Sequence, residues 1–149
     1  MPVTIRTAVL NDVPPILAIE RQALRAAHWA PERYSELVDS GSGVVLVAEE
    51  TDQPCGFACA RAVVGEWEIE NLVVAAEFLR RGVAGELMRG LIQRAKSAAA
   101  SVIRLEVRES NLPARALYLK HGFQEAGRRR MYYQFPAEDA ILYSLRPDG

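Results

Sequence analysis

Two stretches of this 149-residue sequence combine residue types that can do chemistry. The first, ENLVVAAEFLRRGVAGELMRGLI, runs from the end of a strand pattern, through a short loop holding Arg80, Arg81, Gly82 and Gly85, into a long helical pattern. Such a junction binds anions. The first N–H groups of a helix have no intrahelical acceptors, the positive end of the helix dipole lies there, and glycines let a ligand approach the backbone, so a pyrophosphate suits it. The two arginines add positive charge. Taken alone, the pattern reads first as a tight strand-to-helix connection with solvated arginines, because Gly-rich turns of this kind are common. The second stretch, IRLEVRESNLPARALYLKHGF, sets Ile103, Leu105 and Val107 on one face of a strand and Arg104, Glu106 and Arg108 on the other. By itself Glu106 reads as a surface carboxylate between two arginines, and Tyr118, in the next helix, as an amphipathic core residue.

The elements that must position these residues follow from periodicity. Val3 to Val9 alternates as a strand, and Asn11 or Asp12 offers an N-cap before Pro14 and Pro15 in a first helical turn. Ile16, Leu17, Ile19, Ala23 and Leu24 continue an apolar helical face, and Pro31 opens a second short helix that Gly41 and Gly43 stop. Val44 to Glu49 and Gly56 to Val64 are strands joined across the turn signal Thr51-Asp52-Gln53-Pro54, and Glu66 to Val74 completes a meander. Gly82 to Ala100 has helical spacing, Val102 to Arg108 alternates, Pro113 to His121 is a helix stopped by Gly122, and strands near Phe123 to Tyr133 and Ala140 to Leu145 close the chain. This is an α/β layout with a mixed sheet, and no linker, repeat or low-complexity segment divides residues 1–149, which read as one domain.

Composition narrows the classes. Half the residues are hydrophobic and a quarter charged, as in an ordinary globular protein, and no apolar run is long enough to span a bilayer. The N-terminal residues lack a signal-peptide pattern, so the reading is a cytoplasmic protein without a membrane partner. A net charge of -1 argues against nucleic acid as a direct partner, although arginine supplies nearly all of the 18 basic residues and could form local anion sites. Cys55 and Cys59 fall in one strand, about 13 Å apart and beyond disulfide reach, and read as reduced core residues. With only His28 and His121 beside them the spacing follows no zinc pattern, so no metal is expected.

In context, the first stretch resembles the acetyl-CoA loop of the GNAT family, Q/R-x-x-G-x-G/A, with Gly82 and Ala84 on the small-residue positions and Leu79 where Gln or Arg is usual. The second resembles the block L-E-V-R-x-S-N-x-x-A-x-x-L-Y-x-x-x-G-F of bacterial ribosomal-protein-alanine N-acetyltransferases. The likeness extends to IERQALRAAHWAPERYSEL, with Trp29 and Glu32 on a W-x-x-E core, and to YYQFPAEDAILYSL, so it covers nearly the whole chain. The resemblance implies the GNAT fold, α/β with a mixed, mostly antiparallel central sheet of about seven strands flanked by about four helices. It implies acetyl-CoA as cosubstrate, met by Leu72, Val73 and Val74 along the pantetheine arm, by the loop Arg80, Arg81, Gly82, Val83, Ala84 and Gly85, and by Asn111. It also implies Glu106 as general base and Tyr118 as general acid.

Those types suit the implied reaction. An ammonium cannot attack a thioester, so a carboxylate, directly or through a water, must take its proton; the departing thiolate needs one in return, and a phenol stays protonated at neutral pH. A backbone N–H near Val73 could bind the acetyl oxygen. No covalent intermediate is needed, so Cys55 and Cys59 receive no nucleophilic role. The implied acceptor is the N-terminal peptide of a protein, an alanine of a small-subunit ribosomal protein. Lysine side chains, small amines and a non-catalytic acyl-CoA-binding module are the alternatives. Glu66, Glu68 and Glu70 could attract a cationic amine or form a solvated face, Arg128 to Arg130 could meet an acidic surface or only solvent, and Trp29, Tyr132 and Tyr133 could wall a peptide groove or pack at a rim.

Overall fold

The computed structural model describes residues 3–23 and 28–147. Leu24, assigned above to the first helical face, lies outside the described residues. Seven strands form one sheet: β1 (Thr4–Thr7), β2 (Gly43–Glu50), β3 (Gln53–Val63), β4 (Glu66–Val74), β5 (Val102–Arg108), β6 (Gln124–Tyr133) and β7 (Glu138–Leu145). Their order is β1-β2-β3-β4-β5-β7-β6, and among the described residues β4 with β5 is the one parallel pair. Four helices accompany them: α1 (Val13–Gln22), α2 (Pro31–Asp39), α3 (Val83–Ser97) and α4 (Leu112–Lys120). The mixed, mostly antiparallel sheet and the β2–β3–β4 meander match the sequence expectation.

Local chemistry moves some boundaries. β1 stops at Thr7, short of Val9, because Asp12 reaches back: its carboxylate accepts the Val9 N–H at 2.7 Å and both terminal nitrogens of Arg6 at 2.8 Å. Asp12 therefore closes a 3-10 turn, Leu10–Asp12, and does not cap α1 through its side chain. Arg6, foremost, holds this carboxyl below its ordinary pKa. The β2–β3 hairpin is tighter than the four-residue turn signal. Thr51 and Asp52 both take positive φ, 51° and 61°, so Gln53 and Pro54 already belong to β3. Two-residue loops of that handedness match the twist of a hairpin.

The core lies between sheet and helices. Leu46, Val47, Phe57, Leu87, Met88, Leu91 and Ile103 are fully enclosed, as are Cys55 and Cys59, which are free thiols. Gly56 seats α3 on the sheet: a Cβ there would lie 3.0 Å from the Val73 carbonyl and 3.3 Å from Val83 and Leu87, so the first turn of α3 packs directly beside the end of β4. No helix among the described residues is long and apolar enough to cross a membrane.

Candidate active site

The site begins with a bulge. Cys59 pairs with Asn71 and Ala60 with Ile69, which leaves Glu70 as an extra residue in β4. A bulged strand bends and twists away from its neighbour. β4 pairs with β5 only from Glu66 to Glu68, opposite Val102 to Arg104, and beyond that the two strands separate. Leu72, Val73 and Val74 stay bonded to Ala58, Phe57 and Gly56 of β3, while their other side faces the opening. Leu72 and Val74 are half-buried and Val73 is buried.

At the end of β4 the chain makes a 3-10 turn, Ala76–Phe78, and enters the anion-binding junction. Gly82 is the N-cap of α3 at φ 81°, a left-handed conformation that favours glycine, and no side chain caps the helix. The first intrahelical bond runs from the Glu86 N–H to the Gly82 carbonyl, so the amides of Val83, Ala84 and Gly85 have no helical acceptors. Val74, Phe78, Arg80, Gly82, Val83, Ala84 and Gly85 line a cleft there, with Leu79 on its wall. Arg89, from the next turn of α3, and Lys120, from the end of α4, complete it; the sequence reading did not include either. Arg81 is turned aside, 3.8 Å from Glu50 and over the Phe78 ring. His121 lies beside Gly85, and burial, helped by Arg89 and Lys120, holds its pKa below the ordinary value. Open amides, a glycine with free space beside it and clustered cations fit the pyrophosphate of a coenzyme A.

Glu106 and Tyr118 lie on different faces of the sheet. Glu106 stands opposite Leu142 in the β5–β7 ladder, while Tyr118 packs against Tyr143, which points the other way, at 5.6 Å, and against Phe123 at 6.0 Å. Burial, with Tyr133 and Tyr143, pushes the Tyr118 phenol up to about 12. Tyr133 interacts with both groups: burial and then Glu106 raise its own pKa. Asn111 caps α4, accepting the Ala114 N–H at 3.4 Å.

The remaining candidates divide. Glu66 pairs with Arg104, and Glu70 lies 3.0 Å from Arg33 and 3.7 Å from Arg61, so two of the three β4 carboxylates are already neutralised. Arg128 bridges Glu109 and Asp139, each at 2.7 Å, and Arg129 lies 2.9 Å from Glu106. Trp29 packs on Tyr34 beneath Arg33. A buried network also joins this region: Glu20 accepts the Tyr34 O–H at 2.5 Å and the Trp29 N–H at 2.9 Å, and Asn71 donates to the Tyr34 oxygen at 3.2 Å. It ties α1, α2 and the loop between them to β4 next to the bulge. Among the described residues no group of His, Cys, Asp or Glu could hold a metal ion.

A parting parallel strand pair beside an uncapped helix N-terminus defines a class, and the family match agrees with it. Residues 12–123 match the acetyltransferase (GNAT) family, and the chain belongs to that family, as an acetyl-CoA-dependent N-acetyltransferase. The chain is 33% identical to the ribosomal protein bS18-alanine N-acetyltransferase of Salmonella typhimurium, over 95% of this chain and 96% of that protein. It is 30% identical to the N-alpha-acetyltransferase RimI of Mycobacterium tuberculosis, over 99% and 94%. The crystal structure of the ribosomal-protein-S18-alanine N-acetyltransferase from Escherichia coli superposes with a TM-score of 0.88 at 29% identity, covering 97% of this chain and 94% of that one.

Proposed function

We propose that the protein transfers the acetyl group of acetyl-CoA to the N-terminal α-amino group of a protein, an alanine at the start of a small-subunit ribosomal protein of the bS18 kind, and that it does so in the cytoplasm. The observation that supports this reading is that Glu106 lies on β5, from which β4 parts beyond Glu68, while Tyr118 packs on Tyr143 at the other face of the sheet. An acetyl group held in that gap would have a base on one side and a proton donor on the other.

The binding residues follow the same layout. The amides of Val83, Ala84 and Gly85, the open backbone at Gly82 and the side chain of Arg80 take the pyrophosphate, and Arg81 contributes charge from a distance. The free edge of Leu72, Val73 and Val74 takes the pantetheine amides, and Asn111 meets the cosubstrate from the start of α4. The thioester supplies an activated acetyl group and a thiolate leaving group. Glu106, directly or through a water, takes the proton of the attacking amine as the N–C bond forms. Tyr118 gives its proton to the sulfur as the C–S bond breaks, and regains one from solvent.

A lysine-containing peptide beginning with alanine, incubated with acetyl-CoA and read by mass spectrometry, tests the reading. The expected product carries acetyl on the α-amine, and prior formylation of that amine abolishes turnover. Acetyl on lysine, or turnover of polyamines at far higher kcat/KM than any peptide, would overturn it.

A further inference from the structure

The carboxylate at position 106 does not face the acceptor side alone. Arg129, on the edge strand β6, places its Nε 2.9 Å from a Glu106 oxygen, and its guanidinium lies 5.5 Å from the Tyr132 ring centre. The two other cations on its own strand are engaged elsewhere. On β5 itself, Arg104 is held by Glu66, and Arg108 by Glu138 and the carbonyls of Gln134 and Pro136. Tyr133 is neutral, its pKa raised by burial. Arg129 is therefore the cation that the base meets among the described residues.

This pair is not a staple. Arg128, one residue earlier, joins two carboxylates on different elements, whereas the Arg129 and Glu106 side chains are 55% and 26% exposed. An ion pair so open to water contributes little to stability. Its effect is on what can approach. A lone carboxylate at position 106 would attract every ammonium; with Arg129 beside it the charge of that carboxylate is offset, and the attraction for cations weakens.

We propose that Arg129 is a specificity-determining residue, which cancels the charge of the base and so favours amines able to arrive without a proton. This rests on the α-amine reading above. An α-amine, with a reference pKa near 7.7–8.0, is roughly a tenth unprotonated at pH 7, whereas a lysine amine, near 10.4, is unprotonated to less than about a thousandth. A polyamine brings several positive charges at once and is disfavoured most. Recognition of the acceptor is then partly exclusion, achieved by a repulsive element and not only by contacts to the right substrate.

The test measures kcat/KM at pH 7 for three acceptors: a lysine-free peptide beginning with alanine, an N-terminally blocked peptide with one lysine, and spermidine. Wild type, Arg129→Gln and Arg129→Lys are compared, with acetyl-CoA affinity measured by calorimetry to establish that each variant keeps its fold. Arg129→Gln should raise the lysine and spermidine values relative to the alanine peptide by ~5-fold or more, through a lower KM, with the gain shrinking in high salt. Arg129→Lys should keep the wild-type ratio. A wild type that acetylates the alanine peptide, with the ratio unmoved in Arg129→Gln or equally relaxed in Arg129→Lys, overturns the proposal alone. A wild type without α-amine turnover overturns the acceptor reading and this proposal with it.

Discussion

Replacing Tyr118 with phenylalanine deletes one hydroxyl and leaves the ring. The ring is what the fold uses, packed 5.6 Å from Tyr143 and 6.0 Å from Phe123. Among the described residues no hydrogen-bond partner of the hydroxyl is seen, and what acts on it is burial, Tyr133 and Tyr143. Losing an unbonded hydroxyl should change stability by less than about 1 kcal/mol, or a shift of ~4 °C or less in Tm for a chain of this size. The same deletion removes the proposed proton donor, and general acid catalysis contributes roughly 10²–10⁴-fold, so kcat should fall at least ~100-fold with acetyl-CoA affinity nearly intact. Since the phenol is pushed up to about 12, the wild-type rate should show no alkaline limb from this group until pH approaches that value. Linkage gives a second signature. Between pH 10 and 12 the native protein keeps a proton that the unfolded chain has lost, so this group makes stability fall as pH rises through that window, a slope the variant lacks. Stopped or continuous thiol-release assays give kcat, and denaturant melts give the slope. A folded variant within about threefold of the wild-type kcat would refute Tyr118 as the acid.

Glu106→Gln should slow turnover, and the deficit should narrow at high pH, where free amine is plentiful; a deficit constant across a pH–rate profile would argue against a base at this position. Gly82→Val introduces a side chain at φ 81°, a strain of about 1–2 kcal/mol whatever the space around it. Calorimetry should show acetyl-CoA binding weakened by ~10-fold or more in a folded protein, and unchanged affinity would remove this loop from the site. Asp12→Asn should cost about 1–3 kcal/mol at neutral pH, because the carboxylate serves Arg6 and the Val9 N–H. Its folded pKa is depressed, so the stabilisation is present above the ordinary aspartate value and lost as pH falls through the folded one. The gap between wild type and variant in denaturant melts should therefore close under acid, and a gap independent of pH would refute the assignment.

Where pattern and burial agree, the sequence located elements to the residue. Glu66–Val74 and Val102–Arg108 were legible because their alternation is also the alternation of buried and exposed positions. The α3 junction was legible because Gly82 has to take a left-handed conformation at a helix start. What pattern could not show depends on partners distant in the chain. The bulge at Glu70 carries no glycine or proline signal and exists only in the register against Cys59 and Ala60. The Glu20–Tyr34–Asn71 network joins residues 14 and 37 positions apart. Arg128 and Arg129 look alike in sequence, yet one bridges two carboxylates and the other meets Glu106, a difference set by which face of β6 each occupies.

The working part of this fold is a place where the sheet is left incomplete. Beyond Glu68 the side of β4 turned toward β5 has no ladder partner, although backbone N–H and C=O groups in a protein interior are nearly always paired. A backbone group left unmet in an interior would cost about 1–3 kcal/mol, so strands part where something other than the neighbouring strand can meet such groups. On the proposed reading the pantetheine arm, an extended chain with amides of its own, would act there as a short surrogate strand. The bulge falls where β4 parts from β5, and Gly56 lets α3 close in beside the end of β4. Closing the sheet by straightening β4 would extend its pairing with β5 and, on the proposed reading, would leave an acetyl group no place between Glu106 and Tyr118.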